Sequence, residues 1–218
     1  HITGGGGARF EGDALCGFVD RGPHLPEQAV PVQSGRELEA SVLDGRVVDG
    51  EPARRRAAIV GVDPVGLVLV PREDGVGTAG NASIISDGAA AVVVMSREKA
   101  DALGCPIMAS IGAQASYGID LKYVLVAPIW AVPKCLAKQG IDADAVDLFE
   151  INEAFASVPM AWLADMGYPH DKTNVNGGAI ALGHPLGATG TKLMTTLLHE
   201  LERSGGRYGL QTMCEGGG

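Results

Sequence analysis

The chain has 218 residues, 46% of them apolar, with 32 glycines and a formal charge of -9, enough to bury one large core or two small ones. That acidic balance argues against a nucleic-acid or anionic-membrane surface, which needs clustered Lys and Arg; the run Arg54-Arg55-Arg56 is too short to supply one. No apolar stretch reaches the roughly 18 residues of a membrane span, because Gly, Asp and Pro break the longest candidates, around Ala57 to Val70 and Ala89 to Met95.

The first residue is His1 rather than Met, and no signal-peptide pattern follows it, which points to a fragment. Residues 1–72 are rich in Gly, Arg, Val and Asp with little periodicity. They read as an irregular Gly/Arg-rich segment, with strand-like runs only at Arg46 to Val48, Ala58 to Val60 and Gly66 to Val70. From residue 73 strands and helices alternate. Ala89 to Met95 is a short apolar run with a Val core, predicting a buried strand. Ser96 caps a helix over Arg97 to Leu103, which Gly104 ends. Ile107 to Ala115 reads as strand. A helix follows over Ile129 to Gln139, where Pro133 predicts a start near that residue.

Asp142 to Ala145 reads as a turn. Val146 to Ile151 is a buried strand delivering Asn152 at its end, and Ala154 to Met166 is helical. The clearest helix is Thr189 to Arg203: Leu193, Met194, Leu197, Leu198 and Leu201 form one stripe, with Lys192, His199, Glu200 and Glu202 largely outside it. Gly205-Gly206 stops it, and Arg207 to Met213 is a strand ending at Cys214. The order predicts an α/β fold, a mixed or parallel sheet between helices, with functional residues in the loops after strands.

Three residues stand in such places. His184, in Gly183-His184-Pro185, is either a hydrogen-bonded structural histidine or a catalytic one. Its surroundings, Asn174 to Gly190, spend several glycines and a proline on positioning one imidazole before opening into a helix. Cys214 is either a buried small hydrophobe or a reactive thiol, serving as acid or base if its pKa is lowered. The glycines at 216–218 leave N–H groups free to face a carbonyl oxygen. Asn152 is a helix cap, a residue that fixes a water for a developing oxyanion, or both.

Asn152-Glu153-Ala154-Phe155, the Asn174 to Gly190 stretch, Leu210 to Gly218, and Thr78-Ala79-Gly80-Asn81-Ala82-Ser83 with Asp87-Gly88-Ala89 together resemble the thiolases, in the style of acetyl-CoA acetyltransferases and 3-ketoacyl-CoA thiolases. The resemblance covers residues 73–218, as the C-terminal domain of a thiolase-like fold. It implies reversible Claisen condensation and thiolysis of 3-ketoacyl-CoA with acetyl-CoA, in which a nucleophilic cysteine carries the acyl group. His184 would deprotonate that cysteine, and Cys214 would move the proton at the second substrate. His184 with a water on Asn152 would form one oxyanion hole, and the Gly216 N–H would contribute to the other. Ser83, Ala154 and Phe155 would lie near the coenzyme A pantetheine arm. The resemblance also implies coenzyme A esters as substrates with no metal or redox cofactor, a homo-oligomer when full length, and a role in fatty acid metabolism.

Four cysteines, Cys16, Cys105, Cys135 and Cys214, lack a CxxC or short-spaced pattern, which places the chain in a reducing compartment, the cytoplasm. The match has gaps. The nucleophilic cysteine of the N-terminal half has no counterpart, and Cys16, Cys105 and Cys135 read as packing cysteines. The family continues into a closing strand after the glycines at 216–218, so a sheet position is expected to stand open. Residues 1–72 fall where a loop domain belongs, with little likeness beyond Ala29-Val30-Pro31-Val32. These departures predict a partial or frame-disrupted coding sequence. The alternative function is a non-catalytic thiolase-fold fragment binding acyl-CoA or a partner. Ketoacyl synthases fit less well, because they use a second histidine near Asn152 and lack the Cys214 motif. A dinucleotide site lacks its glycine fingerprint.

Overall fold

The structure, a computed structural model, describes residues 11–22 and 77–215. Four strands, β1 (Glu11–Asp20), β2 (Ser110–Asp120), β3 (Leu148–Ile151) and β4 (Tyr208–Glu215), form one sheet in the order β2-β1-β4-β3. β3 and β4 are parallel, while β1 runs antiparallel to both β2 and β4. Helices α1 (Arg97–Leu103), α2 (Pro128–Gln139), α3 (Ser157–Met166), α4 (Ala179–Leu182) and α5 (Thr189–Ser204) complete the α/β fold.

β4 has a strand on each side. β1 pairs along β4 from Asp13 opposite Glu215 to Asp20 opposite Tyr208, so both edges of β4 are hydrogen-bonded. Alternation explains why this segment can serve. Ala14, Cys16 and Phe18 point to one face and are buried there, as a period-two strand requires. That face packs on α2, whose Ala131, Val132, Cys135 and Leu136 fall at helical spacing. Phe149, Ile151, Leu210 and Trp162 complete this larger core.

The opposite face is covered by α5 through fully buried Leu197 and Leu201, each contributing about 1.5–3 kcal/mol by burial. Gly209 makes that approach possible, because a Cβ there would stand 2.8–2.9 Å from both leucines. Glu200, expected outside the apolar stripe, is instead buried, its carboxylate bonded to Arg203 and Asn176.

Three further expectations change. Ala89 to Met95 is neither strand nor buried: Val93 is 84% exposed, and no described strand lies beside it to cover it. The helix expected over Ile129 to Gln139 spans Pro128–Gln139, so the later start near Pro133 fails and the helix runs through that proline; burial of Ala131, Val132 and Cys135 acts against the roughly 3 kcal/mol that an internal proline costs. The strand expected over Ile107 to Ala115 starts at Ser110 and extends to Asp120. Local signals fared better: Ser96 Oγ accepts from the Lys99 N–H, and Gly104 ends α1 at φ 63°. The strand-like runs between residues 46 and 70 lie outside the described residues.

Candidate active site

Asn152 and Cys214 sit at the C-terminal end of the β3–β4 pair, and His184 lies in the loop before α5. Asn152 directly follows β3 and donates its N–H to Thr212 O at 3.0 Å, which sets it beside the end of β4 that carries Cys214. It is 2% exposed, and its Oδ1 has no hydrogen-bond partner among the described residues. The capping reading fails, since α3 begins at Ser157 with Ala156 as its cap. Asn152 is therefore a buried amide at a strand end with an oxygen to spare.

The loop carrying His184 is tied to this strand end through Glu153 and Asn174. Asn174, at φ 48°, turns its amide onto β3: Oδ1 accepts from the Ile151 N–H at 2.8 Å, and Nδ2 donates to Ile151 O and to Glu153 Oε1, both at 2.9 Å. The other oxygen of Glu153 accepts from the Ile180 N–H at 3.1 Å. A Cβ at Gly178 would collide with the Glu153 carboxylate, so glycine is needed there for the loop to approach.

A strap over residues 81–85 joins both parts. Ser83 N–H donates to Ala154 O at 3.0 Å and Ala156 N–H to Asn81 O at 2.8 Å, with Ala82 bridged to Phe155. Farther along, His184 N–H donates to Ile84 O at 2.8 Å. The structure thus brings Ser83, Ala154 and Phe155 together and runs the same strap on to His184.

The imidazole is held by one side chain. His184 Nδ1 lies 2.6 Å from Thr189 Oγ1, and that hydroxyl donates its single hydrogen to Pro185 O at 2.9 Å. With its hydrogen on Pro185 O, Thr189 Oγ1 accepts from Nδ1, the ring's roles following the tautomer. The network assigns the proton to Nδ1 and leaves the lone pair on Nε2. Burial, and secondarily the charge of Lys192, lowers the His184 pKa, so the neutral, basic form is favoured. Lys192 Nζ donates to Leu182 O at 3.2 Å and Gly183 O at 2.9 Å, fixing the peptide that leads into His184.

Cys214 is half-buried near the end of β4. Burial, reinforced by the Glu215 charge, pushes its thiol up to about 11, so the lowering expected for a reactive thiolate is absent and the thiol is a proton donor as it stands. Gly216 lies outside the described residues. Cys16 and Cys135 are buried in the larger core, in keeping with packing roles, while Cys105 is partly exposed after α1. Among the described residues no group of three or more His, Cys, Asp or Glu side chains could hold a metal ion, and no helix is long and apolar enough to cross a membrane.

Glu153, Asn174 and Thr189 were not singled out from the sequence. Thr189 carried one signal, its place at the opening of the helix after the histidine loop. The other two are recognisable only once β3 and the loop are adjacent.

A buried strand-end amide, a histidine hydrogen-bonded through Nδ1 and a half-buried thiol are thus carried by a mixed α/β sheet and the loops around it. The family model "Thiolase, C-terminal domain" matches residues 105–218. A 3-ketoacyl-CoA thiolase of Bacillus subtilis is 49% identical over 145 residues, 66% of this chain and 37% of the relative. A probable acetyl-CoA acetyltransferase of Escherichia coli is 42% identical over 202 residues, 92% of this chain and 49% of the relative, so likeness extends well into residues 1–72. Human mitochondrial 3-ketoacyl-CoA thiolase superposes with a TM-score of 0.62 at 39% identity, over 68% of this chain and 38% of that one. The chain belongs to the thiolase family, and it spans between 37% and 49% of the length of these relatives.

Proposed function

We propose that this chain supplies the proton-transferring and oxyanion-stabilising half of a thiolase site, for reversible condensation and thiolysis of 3-ketoacyl-CoA with acetyl-CoA. The observation that carries this reading is the Thr189 contact, which leaves His184 Nε2 with the lone pair of a general base. His184 Nε2 takes the proton of an acyl-accepting cysteine, so that the thiolate attacks the thioester carbonyl and coenzyme A leaves. Cys214, half-buried and protonated, gives its proton to the departing carbanion in thiolysis; in condensation it first gives that proton to the coenzyme A thiolate that leaves on acylation, and the resulting thiolate takes one from the acetyl α-carbon. The spare Oδ1 of Asn152 orients a water whose hydrogen faces the developing enolate oxygen. The Gly216 N–H serves the second oxyanion position. Ser83 and Ala154, joined by a hydrogen bond, and Phe155 beside them line the pantetheine arm of coenzyme A. The reaction needs coenzyme A esters as substrates and no further cofactor; the full-length protein is a homo-oligomer of fatty acid metabolism in the cytoplasm. The assay is thiolysis of acetoacetyl-CoA by the protein, alone and with a thiolase N-terminal half, against a His184→Ala control. Thiolysis that survives H184A overturns the reading.

One observation favours a second reading, acyl-CoA binding without turnover. No described cysteine other than Cys214 is placed at the site. Cys16 is 4% exposed, and a hydrogen bond with Cys135, together with burial, raises its pKa well above the ordinary value, which suits packing rather than attack. Saturable coenzyme A binding without thiolysis under either condition supports this second reading.

A further inference from the structure

Three buried acceptor oxygens belong to the β3–β4 pair and its end, Glu150 Oε2, Asn152 Oδ1 and Gln211 Oε1, none with a hydrogen-bond partner among the described residues. Glu150 and Gln211 are register partners on parallel strands, so their side chains leave the sheet on the same face, about 4.8 Å apart at the backbone. Two neighbouring buried acceptors without a donor are costly to both. One proton satisfies the pair. We propose that Glu150 is kept as the neutral acid and donates to the side-chain carbonyl of Gln211, forming a brace that positions the three candidate site residues.

The rest of the brace is in place. Gln211 Nε2 donates to Gly190 O at 3.0 Å, which fixes the orientation of the amide and directs Oε1 the other way. Glu150 stands two residues before Asn152, Gln211 three before Cys214, and Gly190 immediately follows Thr189, the partner of His184. The chain Glu150–Gln211–Gly190 therefore cross-links the segments that carry all three. Glu150 is 2% exposed; burial first, then the nearby charge of Glu153, pushes its carboxyl up to about 8, with Lys192 opposing and Glu200 adding to the rise. Those three, from the loop after β3 and from α5, are the charged groups that act on it.

The brace's bearing on catalysis rests on the function proposed above, but its test does not. Carbon-13 NMR of the chain with carboxyl-labelled glutamate is expected to show one resonance that stays protonated at pH 7 and is absent from Glu150→Gln. A Glu150 already ionised at pH 6 overturns the proposal. In a double-mutant cycle, Glu150→Leu and Gln211→Leu each lower the urea midpoint by stranding the other group, and the double variant lowers it by less than their sum; additive shifts overturn it. Glu150→Gln keeps a midpoint near wild type, because its amide donates to the same oxygen, and a loss equal to that of Glu150→Leu overturns it. Should the leucine variants not fold, the wild-type titration decides alone. A chain with this brace but no thiolysis would sink the functional reading and leave the brace standing.

Discussion

His184 and Thr189 form a directed pair: the imidazole Nδ1 lies 2.6 Å from a hydroxyl whose only hydrogen is already given to Pro185 O. Removing the hydroxyl frees the tautomer of His184, while Pro185 O keeps the N–H groups of Ala188 and Thr189. Thr189→Val, of nearly equal volume, is expected to cost about 1–3 kcal/mol by leaving the His184 Nδ1 without its partner, read as a lower urea midpoint. Thr189→Ser keeps the hydroxyl and costs about 1 kcal/mol for the lost methyl. Nitrogen-15 NMR of His184 should show the proton on Nδ1 in wild type and in T189S, and mixed tautomers in T189V. Equal tautomer populations in wild type would refute the pairing.

Cys214 should be slow to alkylate. With its thiol pushed up to about 11 by burial and the Glu215 charge, the thiolate fraction at pH 8 is roughly a hundredfold below that of an unperturbed cysteine. Iodoacetamide labelling followed by peptide mass spectrometry is expected to modify partly exposed Cys105 first and Cys214 far behind it. Glu215→Gln should speed Cys214, since it removes a like charge. Cys214 reacting as fast as Cys105 at pH 8 would mean that a nearby donor lowers it after all.

The sequence made the local features of this fold legible and the tertiary ones only in part. Ser96 and Gly104 bound α1 as read, because a cap and a left-handed terminus depend on a few adjacent residues. Ala89 to Met95 misled, because Val-rich composition reports a preference for burial and cannot supply the neighbouring strand that achieves it. β1 was missed for the opposite reason: Ala14, Cys16 and Phe18 alternate with polar and small residues among glycines, a weak period-two signal until β2 and β4 flank it. At the site, Asn152, His184 and Cys214 were visible through their glycine-rich or strand-end settings. Glu150 and Gln211 were not, since their relationship exists only in the register of β3 on β4.

That buried carboxyl makes stability depend on pH. The folded pKa of Glu150, about 8, lies above its ordinary 4.5, so the folded chain binds the extra proton between these values. Its stabilising contribution is whole below about pH 4.5 and falls as pH rises toward 8, on the order of 1 kcal/mol per pH unit at most. Glu150→Gln cannot titrate and should flatten this part of the profile, gaining on wild type as pH rises. Urea midpoints at pH 5, 6.5 and 8 measure it; parallel profiles for the two proteins would show that Glu150 is ionised throughout.

The anchoring of β1 predicts an asymmetry between two partners of one ion pair. Asp20, at the end of β1, is 1% exposed at its side chain, while Arg207, just before β4, is 44% exposed. Arg207 Nε and Nη2 donate to the two Asp20 oxygens at 3.0 and 3.3 Å, and Asp20 Oδ1 also accepts from the Gly22 N–H at 2.6 Å. Asp20→Ala loses the charge-assisted bonds made by a half-exposed guanidinium, a cost of about 1.5–3 kcal/mol. Arg207→Ala leaves a carboxylate buried without its cation, a cost of about 3–5 kcal/mol, and also removes the stacking of its guanidinium 4.5 Å over the Tyr208 ring. Arg207→Ala should therefore lower the urea midpoint more than Asp20→Ala. It should also speed hydrogen exchange in β1 before the β3–β4 pair opens, because β1 is the strand this contact ties to the sheet. The reverse order of midpoints would mean that Asp20 reaches water and that another contact holds β1 in place.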